Sequence, residues 1–293
     1  MDKLKAMQVF MQIAEHGSLT AAARALDSSL PAVVRTLAAL EVELNVRLFN
    51  RTTRRISLTE EGKKYLASCR LILSALVDAE AALTEGAQDP SGHLTITAPV
   101  LFGQMFVAPA VTRFVQRYAK MKCSVVLLDR VVNLLEEGID VGIRIGALAD
   151  SSLIAQPLGS IRRVVVVSPA YLRKNGTPKH PHDLVKHNCV RFFGSSADWW
   201  TFRDNERSFN VSIDGNLDFN QAAAAVDACV AGVGIGMFIS YQVAPYLNNN
   251  KLKVVLQKYE LAPHPVHVIY PHARLLPART RLFIEWINQE IVI

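Results

Sequence analysis

SLTAAARALDSSLPAVVRTLAALEVELNVRLFNR, residues 18–51, is the stretch from which the rest of the chain is read. It opens on an alanine-rich segment that Ser18 or Thr20 can cap as a helix through Leu26, with Ala21, Ala22 and Ala23 leaving room for a close crossing. A polar turn follows at Asp27, Ser28 and Ser29. A second helix is expected from about Leu30 to Leu44: Ser29 can cap it, and Pro31 falls in the first turn, where a missing N–H has no partner anyway. Val33, Leu37, Leu40 and Leu44 fall on its core side. Ser28, Ser29, Leu30, Ala32, Arg35 and Thr36 fall on the exposed N-terminal side.

Upstream, Leu4, Met7, Phe10, Met11 and Ala14 recur at steps of three and four, which marks an amphipathic helix stopped at His16 and Gly17. Downstream, Arg47, Arg51, Thr52, Thr53, Arg54 and Arg55 form an irregular or hairpin segment, readable as a wing or, more plainly, as a solvated basic loop. Two helices across a tight polar turn, with a basic loop behind, are the layout of a helix-turn-helix. Its second helix enters the major groove, while arginines and hydroxyls hold phosphates or a narrow minor groove. The DNA-binding candidates are Ser18, Ser28, Ser29, Leu30, Pro31, Ala32, Arg35, Thr36, Arg51, Thr52, Thr53, Arg54 and Arg55.

The chain has 293 residues and a formal net charge of +6. That length suits about two domains, and a diffuse excess of this size says less than the basic cluster between Arg47 and Arg55. No run of 18 apolar residues exists, and Gln8, Gln12 and Glu15 interrupt the N-terminal pattern, so neither a membrane span nor a signal peptide is expected. Cys69, Cys123, Cys189 and Cys229 are scattered without metal-ligand spacing. The reading is a reduced, cytoplasmic protein with no cofactor and no metal.

Beyond the wing, Thr59 caps a long helix with Glu60 and Glu61 in its first turn, where the helix dipole favours negative charge. Leu66, Cys69, Leu73, Leu76, Ala79, Ala82 and Leu83 carry it to about Glu85. Gly86, Asp89, Pro90, Ser91 and Gly92 then make a linker. From His93 short strands (LTITAP, CSVVLLD, DVGIRIG, RRVVVVSP, HNCVRF, VHVIYP) alternate with helices (FVAPAVTRFVQRYAK, VVNLLEEG, DLVKH, NQAAAAVDACVAG, ARTRLFIEWINQEI). That alternation predicts an α/β segment with ligand sites at the carboxyl ends of strands.

The first sixty residues resemble the winged helix-turn-helix of LysR-type transcriptional regulators. Phe10, Gly17, Ser18, Ala22, Ala23, Leu26, Pro31, Ala32, Val33, Leu40, Glu41, Leu44, Leu48, Phe49, Arg51, Leu58, Thr59 and Gly62 carry the match. Two departures stand out, because the family usually has glutamine and serine where this chain has Leu30 and Val34. These can make only apolar contacts, such as with a thymine methyl. Asn45 replaces a common glycine and is the next best residue for a left-handed cap. The C-terminal segment resembles the LysR effector-binding domain through Asp129-Arg130, Glu137-Gly138-Ile139-Asp140, Arg144-Ile145-Gly146, Ser168-Pro169 and the GVGIG run at 232–236.

The resemblance implies a multidomain chain: an all-α winged helix-turn-helix at 1–59, a linker and dimerisation helix at 60–86, a hinge at 87–92, and a two-lobed α/β domain of type 2 periplasmic-binding-protein-like fold at 93–293. Lobe I would hold 93–161 and 266–293, and lobe II 162–265. It also implies double-stranded promoter DNA as partner, a homodimer or homotetramer, contact with RNA polymerase, and a small organic effector in the interlobe cleft. The effector candidates are Val100, Leu101, Phe102, Gly103, Gln104, Asp129, Arg144, Gly146, Phe193, Ser195, Asn220 and Gln221. The helix start after Pro99 offers backbone N–H groups to an anion; Arg144 is either its counter-charge or an ion-pair partner of Asp129 or Asp140. The alternatives are a redox-responsive regulator using Cys189 or Cys229, and an enzyme acting on the cleft ligand, for which no catalytic spacing is present.

Overall fold

The structure is a computed structural model and describes residues 2–51, 56–83, 90–148, 153–192, 199–271 and 276–293. Three helices open the chain: α1 (Lys3–His16), α2 (Leu19–Ala25) and α3 (Leu30–Leu44). Gly17 and Asn45 end α1 and α3 in the left-handed region, at φ 59° and 54°. Ser18 rather than Thr20 caps α2, accepting from Ala21 N at 3.4 Å, and Ser29 caps α3 through Ala32 N. Strands β1 (Phe49–Arg51) and β2 (Ile56–Leu58) pair antiparallel and lead to α4 (Glu60–Leu83). The wing tip, with Thr52, Thr53, Arg54 and Arg55, lies outside the described residues.

This head closes around Phe10, which has no exposed surface and sits 5.3 Å from the ring of Phe49 and 5.4 Å from that of Tyr65. Helix α4 is therefore joined to the reading head as well as leading away from it. Gly62 permits the junction, because a Cβ there would stand 2.1 Å from the carbonyl oxygen of Leu48. Thr59 caps α4 through Gly62 N and donates its hydroxyl to Arg47 O. Glu41 Oε1 accepts from the N–H groups of both Leu48 and Phe49, at 2.9 and 3.3 Å, and so fastens α3 to the first wing strand. Glu41→Ala leaves two partly buried donors without this acceptor. It is expected to lower the stability of the head by about 1–3 kcal/mol, read by urea denaturation of the full chain.

The C-terminal part holds two five-stranded sheets. The first comprises β3 (Gly92–Ala98), β4 (Met121–Leu127), β5 (Val141–Ile145), β6 (Leu153–Ile161) and β14 (His264–Pro271), in the order β4-β3-β5-β14-β6. Its core face is covered by α5 (Val100–Phe102), α6 (Ala108–Arg117) and α10 (Ala278–Glu290), around the fully buried rings of Phe102, Phe114 and Phe283. The second comprises β7 (Arg163–Val167), β8 (Cys189–Phe192), β11 (Leu217–Phe219), β12 (Ile235–Ile239) and β13 (Lys253–Val255), ordered β11-β8-β12-β7-β13. Helices α7 (Pro169–Asn175), α8 (Ala222–Val230) and α9 (Ser240–Asn248) accompany it, with a hairpin of β9 (Trp199–Asp204) and β10 (Arg207–Ser212).

Several elements differ from expectation. VVNLLEEG is a single turn rather than a helix: Asn133 Oδ1 takes the N–H groups of Leu135 and Glu136, and Gly138 ends the turn at φ 63°. DLVKH belongs to a 3₁₀ helix, Pro181–Lys186. The helix start after Pro99 and the helical run from Phe106 are one stretch, which starts at Val100 and passes through a π turn, Gly103–Val107, in which Ala108 N–H reaches Gly103 O. Pro109 has no N–H to give Met105 O, so the wider turn forgoes no bond there. Strand β6 was not expected, since Pro157 and Gly159 break its pattern; it lies at a sheet edge, where proline is tolerated.

Candidate DNA-reading face and effector cleft

Val33, Leu37 and Leu40 of α3 are buried against α1 and α2. The same rotation leaves Ser28, Ser29, Leu30, Pro31 and Arg35 exposed, with Ala32, Val34 and Thr36 half-buried and Ser18 half-buried at the head of α2. Leu30 keeps 41% of its surface open although it is a large hydrophobe at the first position of the helix. A surface-exposed leucine beside Arg35 and two hydroxyls offers one apolar, one cationic and two hydrogen-bonding contacts on one helix end. That suits base edges and phosphates together. Arg51 ends β1; its side chain lies outside the described residues.

The strand ends gather a second set. Val100 N–H, expected to be free for an anion, donates to Asp129 Oδ1 at 2.9 Å. The reason is local: β4 ends beside β3, so the carboxylate just past it reaches the helix start and takes the place a ligand anion would have. Phe102 and Gly103 are buried and Leu101 packs on the core, whereas Gln104 is exposed. Gly146, at φ 104°, faces open space, with nothing within 4 Å of an added Cβ. Asn220 and Gln221 are exposed, and the Gln221 side chain makes no cap bond to α8. Phe193 and Ser195 lie outside the described residues.

Of the two roles open to Arg144, the ion pair with Asp129 or Asp140 does not form. Those carboxylates accept from Val100 N and Thr95 N. Arg144 stands opposite His267 in register and gives only a long bond, 3.4 Å, to Ile143 O, while its Nη2 is buried without a partner. Burial pulls its pKa down, and Glu137, doubly bonded to Arg130, partly offsets this.

Tyr241 was passed over in the sequence. It opens α9 of the second sheet but packs in the core of the first, edge-on to Phe102 and Phe106 at 5.4 and 5.8 Å. Burial raises its pKa to about 12. An aromatic in the first turn of a helix carries no sequence signal that it serves the other lobe.

Other groups are accounted for by packing. Cys189 and Cys229 are buried, and burial pushes both thiols up to about 12, so at neutral pH neither offers a thiolate. His180 and His182 stack on each other and on Phe209 beside an open pocket of about 650 Å³ that also includes Asp204 and Glu206. This pocket is at the β9–β10 turn and includes none of the effector candidates. Among the described residues no group of three His, Cys, Asp or Glu could hold a metal, and no helix is long and apolar enough to cross a membrane.

A helix-turn-helix with a two-stranded wing, joined by a long helix to two α/β lobes, is the build of a ligand-controlled DNA-binding regulator. Residues 4–63 match the bacterial regulatory helix-turn-helix proteins of the lysR family, and residues 87–291 the LysR substrate binding domain. The chain belongs to the LysR family of transcriptional regulators. It is 36% identical to an HTH-type transcriptional repressor of Pseudomonas aeruginosa over 292 residues, covering 99% of this chain and 92% of the relative. It is 31% identical to the transcriptional activator AaeR of Escherichia coli, covering 100% and 95%. The solved structure of CrgA from Neisseria meningitidis matches with 30% identity and a TM-score of 0.63, over 98% of each chain. The Vibrio cholerae virulence activator AphB matches with 26% identity and a TM-score of 0.64, over 98% and 99%.

Proposed function

We propose that the exposed N-terminal end of α3 reads operator bases, with Leu30, Arg35 and Thr36 at base edges and Ser18, Ser28, Ser29, Pro31 and Ala32 against the backbone or its neighbouring bases. The observation that carries this is the division of α3: its apolar set is buried while Leu30 and Arg35 stay open at one end. The wing arginines Arg51, Arg54 and Arg55, with Thr52 and Thr53, supply phosphate contacts. Helix α4 leaves Ile72 44% exposed, which suits pairing with a second copy and hence two heads on a two-fold operator. The protein would act in the cytoplasm as a dimer or tetramer and engage RNA polymerase at the promoter.

The effector would be a small organic acid seated between the lobes, near Gly146, Gln104, Asn220 and Gln221. Ligand binding there changes the angle between heads. A thermal-shift panel of small organic acids on the full chain, followed by footprinting on its upstream DNA, tests this. At least one acid should raise the melting temperature and alter the footprint. A panel in which stabilising acids leave the footprint unchanged contradicts effector control.

A further inference from the structure

The chain passes between its two sheets at residues 161–163 and again before 264, and each crossing places a basic side chain at a strand end. Arg163 opens β7 and is paired in register with Ile239, the last residue of β12. His264 opens β14 and is paired with Ile161, the last residue of β6. Both therefore stand at the ends where strands of the two sheets finish, the location at which open α/β sheets collect ligands. Gly146 N donates to Pro265 O at 2.8 Å, which sets the open space at Gly146 beside His264.

Neither basic group has an acceptor. His264 Nε2 is shut off from solvent without a hydrogen bond. Arg163 is half-buried and, among the described residues, makes no hydrogen bond or ion pair. Glu260 pairs with Arg162 through Oε2, at 3.6 Å, while its Oε1 is buried without a partner. Burial pulls the pKa of Arg163 down, and burial together with the positive charge of Arg163 does the same to His264. A half-buried guanidinium gives up part of its hydration and gains no acceptor in return, a cost that a leucine at the start of this valine strand would avoid.

We propose that Arg163 and His264 are the anion anchor of the effector cleft and hold the carboxylate of a small monocarboxylic acid whose body extends past Gly146. This rests on the reading of the cleft as the effector site. Arg163 donates to one carboxylate oxygen and His264, in its Nε2–H tautomer, to the other. One guanidinium and one imidazole N–H match the two oxygens of a single carboxylate. The anchor thereby moves from the Val100 helix start, which Asp129 occupies, to the crossing strands.

Calorimetric titration of the full-length protein with benzoate, acetate and the neutral isostere benzamide tests the assignment. Benzoate should bind the wild type and benzamide at least about tenfold more weakly. R163M and H264L should each lose benzoate binding by about tenfold or more while still binding DNA. R163M should melt no lower than the wild type without ligand, since it removes an unpaired charge; should R163M not fold, R163Q replaces it. Undiminished benzoate binding in both variants overturns the anchor and leaves the cleft reading standing. Equal binding of benzamide overturns the anionic ligand class. A wild type that takes up neither carboxylate overturns the site, and stabilisation by uncharged ligands would then still support the cleft.

Discussion

Phe10→Ala is expected to unfold the reading head while the α/β lobes stay folded. Removing a fully buried phenylalanine costs about 3–5 kcal/mol, and a head of this size has on the order of 3–9 kcal/mol in all. The ring also links three elements, since Phe49 belongs to the wing and Tyr65 to α4, each within 5.4 Å. The loss therefore spreads to α1, β1 and the base of α4 together. Calorimetry of the full chain should show the lower transition shifted or gone and the upper one kept, with operator binding lost at 37 °C. A variant that melts in one unchanged transition would show that Phe10 does not hold the head together.

Leu30 should make the protein sensitive to thymine methyl groups. Its exposed side chain offers no hydrogen bond, so the contact open to it in the major groove is with a C5-methyl. Replacing operator thymines by uracil removes the methyl and leaves every hydrogen-bonding edge intact. Each methyl buried against Leu30 is worth roughly 0.8 kcal/mol, or about fourfold in affinity. The wild type should thus lose affinity on the uracil duplex while Leu30→Ala does not distinguish the two. Leu30→Gln should turn preference towards adenine at the same position, by about 1–3 kcal/mol for a bidentate amide. Competition binding on matched duplexes reads both effects. Equal discrimination by Leu30→Ala and wild type would remove Leu30 from the base contacts.

The head was legible because its signals are local. Ser29 before Pro31, Gly17 after an amphipathic run, and Asn45 in place of glycine each fix a helix end through one residue, and each does so in the structure. Gly62 shows the limit of that kind of reading: it was visible as a family mark, but its reason, the backbone of Leu48 at 2.1 Å from a would-be Cβ, is tertiary. The lobes were legible as alternating strands and helices, except where the edge of a sheet relaxed the pattern, as in β6. The floor of the cleft was the least legible. Asp129 and Val100 are both candidates at the strand ends, but nothing in the sequence says that the carboxylate takes up the N–H a ligand would need. Arg144 drew attention as a charge in an apolar strand. Arg163, in the run RRVVVV, stands at the strand's first position, where a charge is common and draws no attention.

The central claim is that α3 reads a specific operator. The most direct measurement is equilibrium binding of the full-length protein, at about 150 mM salt, to its upstream intergenic DNA and to the same DNA scrambled. Sequence reading by α3 predicts a preference of at least about a thousandfold and its reduction by about 1–3 kcal/mol in Arg35→Ala. Equal affinity for the two duplexes, falling equally steeply as salt is raised, would mean that only phosphates are being held and would contradict the account.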